Sequence, residues 1–199
     1  MDSDNRIVWE HVRSALGLDL RLFRVRFDWL KNRRNGHTVK ATVLESPDWV
    51  NVVALTPRDK FVVVRQYRFG TAKTTTEIPA GIVEPGETHR QAAERELKEE
   101  TGYTSQDWQY LGYVEPNPAF LNNKCHHWLA RKAERTSEPV LDVGENMLVS
   151  EMSLDEVRLE VERGLFRHSL ALTALAHLFD LRPLLASGSM PERGDNVGR

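Results

Sequence analysis

The segment Gly81-Ile82-Val83-Glu84-Pro85-Gly86-Glu87, followed by Arg95-Glu96-Leu97-Lys98-Glu99-Glu100-Thr101-Gly102-Tyr103, constrains the fold more than any other part of the chain. Thr88 and Gln91 have capping-box spacing, the residues through Thr101 are good helix formers, and Gly102 stops the helix. At about 100° per residue, Glu96 and Glu100 point within about 40° of each other, and Glu99 falls about 60° to the other side of Glu96. Three carboxylates therefore share one face, and Ala93 and Leu97, an i,i+4 pair, supply an adjacent apolar edge for docking on a sheet. A Glu-Glu pair on a helix is ordinarily a solvated face. Here the like charges cost roughly a few tenths of a kcal/mol and oppose the helix dipole, so a compensating cation is expected. Magnesium is such a cation, a hard ion that takes oxygen ligands and keeps waters for substrate phosphates. Gly81 and Gly86 allow a tight loop that brings backbone oxygen to the same ion.

The rest of the chain offers a sheet for that helix. Phe23 to Trp29 alternates apolar with polar, Asn35-Gly36 makes a turn, and Thr38 to Leu44 alternates again, so a hairpin with a loop near Arg34 is expected. Val50 to Leu55 and Phe61 to Val64 read as central strands separated by the turn Thr56-Pro57-Arg58-Asp59-Lys60. Tyr110 to Val114 and Trp128 to Arg131 suggest further strands, with a long proline-containing loop from Glu115 to His127 between them. Ser153 and Glu156 form a second capping box for a helix ending near Gly164, and Leu170 to Leu181 gives a final apolar helix. The tail from Ala186 has the composition of a disordered segment.

Composition narrows the function classes. At 199 residues and 40% hydrophobic content the chain can bury a core unaided, and its lone cysteine, Cys125, leaves no disulfide to form within it. Lysine plus arginine number 27 against 29 acids, a net charge of -2, so no global positive field gathers nucleic acid or anionic membrane. Met1-Asp2-Ser3-Asp4 leads into no apolar h-region, and Phe61 to Val64 is far shorter than the roughly 20 residues of a membrane helix. A cytoplasmic protein with no nucleic-acid or membrane partner is expected.

Other signals carry less. Cys125-His126-His127 lacks a second ligand pair at zinc-finger spacing and reads as a loop leading into a strand. Lys31-Asn32-Arg33-Arg34 is a basic run in the hairpin turn, ordinarily solvated. Trp9, Trp29 and Trp49 read as packing or interface residues rather than base-stacking platforms.

Gly81, five residues, Glu87, seven residues and then Arg95 to Tyr103 resembles the Nudix box at every specified position. Upstream, Arg65-Gln66-Tyr67-Arg68 and Glu77-Ile78-Pro79-Ala80 look like the segments preceding that box in the ADP-ribose and nucleotide-sugar pyrophosphatase branch. The resemblance implies the α/β class: a Nudix α/β/α sandwich with a mixed β-sheet, plus an N-terminal antiparallel β extension. It divides the chain into a β-rich extension for dimerisation (1–45), a hydrolase domain (46–185) and a tail (186–199).

The resemblance also implies roles. Nudix enzymes hydrolyse a nucleoside diphosphate linked to another moiety, with water and Mg2+ or Mn2+. By matching position, Glu96 and Glu100 are metal ligands with the Ala80 carbonyl, and Glu99 ligates or acts one layer out. Arg95 is counted with the catalytic residues, orienting a glutamate such as Glu87. Arg65 and Arg68 are candidates for substrate phosphate, and Glu77 for the acid on the sugar or metal side. Pro118, fifteen residues beyond Tyr103, matches a branch marker, while the loop Glu115 to Lys124 looks more like that of broader nucleoside diphosphate sugar hydrolases. In Asp142-Val143-Gly144-Glu145-Asn146 only Glu145 matches the family's late acidic loop. It is the candidate for metal ligand or general base, ahead of Glu151.

The leading expectation is a magnesium-dependent pyrophosphatase acting on ADP-ribose or a related nucleotide sugar. The alternatives are a Nudix module that senses nucleotide sugars without hydrolysis, and a hydrolase of capped RNA or dinucleotides. A homodimer is expected because Phe23, Phe27 and Trp29 on the N-terminal strands need a surface to pack against.

Overall fold

The computed structural model describes residues 8–141, 143–144 and 146–179. Expectations for Glu145, for the end of the last helix at Leu181 and for the tail lie outside the described residues.

The N-terminal segment forms its own antiparallel sheet of β1 (Trp9–Asp19), β2 (Arg24–Asn32) and β3 (Thr38–Glu45), in the order β1-β2-β3. The hairpin β2-β3 is the expected one. β1 was not legible, because its apolar and polar residues alternate without a buried face: ten of its eleven residues are exposed. Phe23 precedes β2 rather than lying on it, and the buried residue in the middle of that strand is Asp28. Asp28 accepts bonds from Ser14 and Arg26, and Arg26 also reaches Glu45 across β3. Those partners hold its carboxyl below the usual carboxylate range, Arg26 first.

Most of the remaining strands form two further sheets. β4 (Trp49–Ala54), β7 (Ala80–Ile82), β9 (Asp107–Val114) and β10 (Cys125–Arg131) are ordered β7-β4-β10-β9, with β4 and β10 parallel. β5 (Phe61–Arg68), β6 (Lys73–Glu77) and β12 (Met147–Met152) are ordered β12-β5-β6, all antiparallel. The two runs read as central strands are each the inner strand of a sheet, but of different sheets, linked by a bridge between Leu55 and Phe61. β8 (Tyr103–Thr104) and β11 (Glu134–Arg135) make a short ribbon. β6 escaped the sequence reading because Lys73-Thr-Thr-Thr-Glu77 carries no apolar residue; it forms through ladder bonds to β5.

Among the described residues three helices cover the strands: α1 (His89–Thr101), α2 (Leu154–Glu162) and α3 (Ser169–Ala176). Strand alternation sends Val50, Val52, Ala54, Val62, Trp128 and Ala130 into one core with Ala92, Ala93 and Leu97 of α1. Val53, Phe61, Val63 and Leu129 go into a second core with Val157, Ala171, Ala174 and Leu175 from α2 and α3. This is an α/β/α sandwich, and burial on both faces is why the strand sequences are continuous apolar runs. Both capping boxes form, at Thr88 with Gln91 and at Ser153 with Glu156. Gly102 ends α1 at φ 75°, where an added Cβ would meet the Ser137 carbonyl oxygen at 2.1 Å.

Cys125, His126 and His127 belong to β10 itself, not to the preceding loop, which ends at Lys124. His126 bonds Tyr110 and Asp48 and stacks on His89, while Cys125 is buried with its thiol pushed up to about 12. His127 is fully buried, and neither ring nitrogen has a hydrogen-bond partner among the described residues. Burial pushes its pKa down to about 4.

The unfolded chain binds the His127 proton near pH 6.5 and the folded chain only near 4, so the neutral ring stabilises the fold above about 6.5 and this is lost as pH falls towards 4. Urea denaturation at pH 7 and pH 4.5 is expected to show the wild type losing on the order of 2 to 3 kcal/mol more than His127→Leu. Equal losses in the two proteins would contradict this.

Candidate active site

The turn after β7 and the face of α1 are held together by one side chain. Arg95 donates from Nε and Nη2 to the two carboxylate oxygens of Glu87, both at 3.0 Å. Its Nη2 also reaches the Ile82 carbonyl at 2.9 Å, and its Nη1 reaches Glu96 at 2.8 Å and Glu99 at 3.1 Å. Glu87 in turn accepts the Glu84 backbone N–H at 2.8 Å, which closes the loop. Arg95 holds the Glu87 carboxyl below its usual range, and the acids around Arg95 raise the guanidinium's own pKa. The sequence reading of Arg95 as the residue that orients Glu87 describes this geometry; its contacts lie within the loop and the helix.

Glu100 lies at the inner end of the acidic face, 2% exposed, and accepts the Ala80 backbone N–H at 3.0 Å. Glu96 lies against Gly81, where an added Cβ would come within 1.9 Å of Glu96 Oε1. Glu99, on the solvent side of Arg95, has a side chain 47% exposed. These donors are hard oxygens on one helix face beside strand β7, whose Gly81 leaves them room. That donor set suits an ion of the magnesium type. Among the described residues, no three His, Cys, Asp or Glu side chains already stand converged as a cage.

Beside Ala80 and Gly81 opens a cavity of about 490 Å3. Its apolar wall comes from Leu22, Phe23, Leu44, Trp49, Phe120 and Leu121, and its polar wall includes Arg68 and His168. Arg68 grips the fully buried Glu77 with both arms of its fork, Nε to Oε1 at 2.8 Å and Nη2 to Oε2 at 2.6 Å. Burial pushes the His168 imidazole below its ordinary range, against the pull of Glu77.

Two candidates stand elsewhere. Arg65 is three residues from Arg68 on β5, and an odd separation on a strand puts two side chains on opposite faces. It faces α2, paired with Glu160 at 3.0 Å and bonded to Thr76, and does not line the cavity. Pro118 is exposed in the β9–β10 connection, and Phe120 and Leu121 from that loop line the cavity instead. Glu151 is occupied by Arg58 and the Tyr103 hydroxyl. His168 and the part played by Trp49 in the cavity wall were not read from the sequence. Nothing local marks them, since they come together only when the extension, β4 and the start of α3 meet.

Residues 46–171 match the family described as NUDIX domain. The methanol dehydrogenase activator of Bacillus methanolicus is 34% identical over 145 residues, 72% of this chain and 78% of the relative. An ADP-ribose pyrophosphatase of Bacillus subtilis (strain 168) is 35% identical over 129 residues, 64% of this chain and 70% of the relative. A crystal structure of an ADP compounds hydrolase superposes with a TM-score of 0.74 at 23% identity, covering 85% of this chain and 91% of the other, a likeness of fold.

Gly81→Ala tests the close approach of β7 to Glu96. The clash is with the end of a flexible side chain, so the thermal midpoint is expected to stay within about 4 °C of wild type. The displaced carboxylate is expected to cut hydrolytic turnover by about tenfold or more. Turnover unchanged in a folded variant would remove Glu96 from the active arrangement.

Proposed function

The chain belongs to the NUDIX domain family and is a hydrolase of that family, and from this premise we infer that it cleaves the pyrophosphate bond of ADP-ribose or a related nucleoside diphosphate sugar. The products are a nucleoside monophosphate and a sugar phosphate. One observation carries the reading: an arginine-ordered set of carboxylates adjoins a cavity with one apolar and one polar wall. The name of the B. subtilis relative supports the choice of substrate class.

In this reading Glu96, Glu99, Glu100 and the Ala80 carbonyl hold a divalent ion, Mg2+ or Mn2+, with Glu145 as a further ligand or the general base. The bound ion supplies Lewis acidity at the phosphoryl group and activation of the attacking water. Arg95 keeps Glu96 and Glu99 in register and ties them to the loop. Trp49, Phe23 and Phe120 receive the base, and Arg68 with Glu77 faces the polar part of the substrate. Arg65 and Pro118 are left out of the site on their positions.

A homodimer and a cytoplasmic setting complete the proposal. Val12, Leu16 and Leu18 of β1 are 54%, 65% and 70% exposed, an apolar row that a second copy would cover. No helix among the described residues is long and apolar enough to cross a membrane.

A panel of nucleotide sugars, dinucleotides, capped RNA and nucleoside triphosphates with Mg2+, analysed for products, is expected to give AMP and ribose 5-phosphate from ADP-ribose as the preferred reaction. Preference for any other class would overturn the reading. Glu100→Gln is expected to keep the fold and lose about a hundredfold or more in turnover at saturating Mg2+, because it removes an anionic ligand. Turnover near wild type would sink the metal assignment. Light scattering at micromolar concentration is expected to give a dimer mass, and a monomer mass would refute the interface.

A further inference from the structure

His168 occupies the N-cap of α3, a position where Ser, Thr, Asp or Asn normally accepts a bond from the helix. Its imidazole makes no capping bond. The residue instead lines the cavity beside Arg68. Its Nδ1 is buried without a hydrogen-bond partner among the described residues and lies 3.8 Å from Glu77 Oε2. At 3.8 Å the contact with Glu77 is too long for a hydrogen bond, so Nδ1 is poised beside a carboxylate without reaching it, and Nε2 is the nitrogen of this cavity-lining ring that remains for a ligand.

The geometry sets the chemistry of that ligand. A neutral imidazole has one donor and one acceptor nitrogen. Nδ1 faces a carboxylate, which only accepts, so the proton belongs on Nδ1 and the lone pair is left on Nε2. That lone pair repels a phosphate oxygen and calls for an O–H donor. A nucleoside diphosphate sugar carries such donors on its two sugars.

We propose that His168 is a specificity-determining residue of the hydrolase, its Nε2 accepting a hydrogen bond from a sugar hydroxyl of the substrate while Nδ1–H is directed to Glu77. The proposal rests on the nucleotide-sugar reading above. Binding draws the ring onto the Arg68–Glu77 pair, so recognition of the sugar is coupled to the wall that faces the polar part of the substrate.

The test compares wild type, His168→Leu and His168→Gln on ADP-ribose, on an analogue lacking the distal ribose hydroxyls, and on one lacking the nucleoside 2′-hydroxyl. His168→Leu is expected to lose about tenfold or more in kcat/KM on ADP-ribose. Wild type should lose a similar factor on one analogue, and the two changes together should cost little more than either alone. The analogue that shows this coupling identifies which ribose is held. His168→Gln, whose Oε1 can take the place of Nε2, should recover to within about threefold of wild type. Equal losses by His168→Leu on ADP-ribose and on both analogues, or no loss at all, would overturn the proposal while leaving the substrate reading standing. Wild-type failure on every nucleotide sugar would overturn both. Should circular dichroism show His168→Leu unfolded, the same comparison with His168→Gln decides: retained activity on ADP-ribose with retained discrimination against one analogue supports the contact, and lost discrimination refutes it.

Discussion

The five-fold use of Arg95 is the interaction on which the site depends. A guanidinium offers five N–H donors in a rigid plane, and here they reach two oxygens of Glu87, one each of Glu96 and Glu99, and the Ile82 carbonyl. One side chain thereby spaces like charges on a helix, closes the turn that follows β7 and sets the distance between them. A lysine would supply the charge without the planar fork. Because Gly81 lacks a Cβ, strand β7 can lie directly against Glu96, and the acidic face becomes continuous with the backbone around Ala80.

Layered packing makes this local device rigid. Val50, Val52 and Ala54 seat α1 on one side of β4, while Val53 turns to α3 on the other. Helix α1 cannot roll without disturbing Ala92, Ala93 and Leu97, all fully buried, so the carboxylates on its opposite edge are held as firmly as the core is packed. The interior also carries polar groups whose cost is visible, His127 above all, in return for a well-filled space beneath α3.

The cavity has a different origin. Its apolar wall joins Leu22 and Phe23 from the N-terminal segment, Trp49 from β4 and Phe120 and Leu121 from the β9–β10 connection. Its polar wall joins Arg68 of β5, which grips the buried Glu77 of β6, to His168 at the head of α3. These walls draw on segments from Leu22 to His168, so the cavity is a property of how the sandwich is assembled, whereas the acidic helix is a property of one segment.

That difference explains what could be read without coordinates. Helix α1, its capping box, its stop at Gly102 and the shared face of Glu96, Glu99 and Glu100 were legible, because they depend on spacings within a single stretch of chain, while the pairing of Arg95 with Glu87 was implied by the family resemblance of that stretch. Strand β4 and the first half of β5 were legible as apolar runs, since both their faces meet a core. Strand β6 was not, because threonines on a ladder look like a loop until the partner strand is known. Arg65 and Arg68 look equivalent in the sequence, and only the two-residue period of a strand embedded between helices sends one to Glu160 and the other to Glu77. The sequence by itself determined the acidic helix and its caps, because their spacings are local. The tertiary structure alone decided which side chains face the cavity, because that is settled by register between strands and by packing between elements distant in the chain.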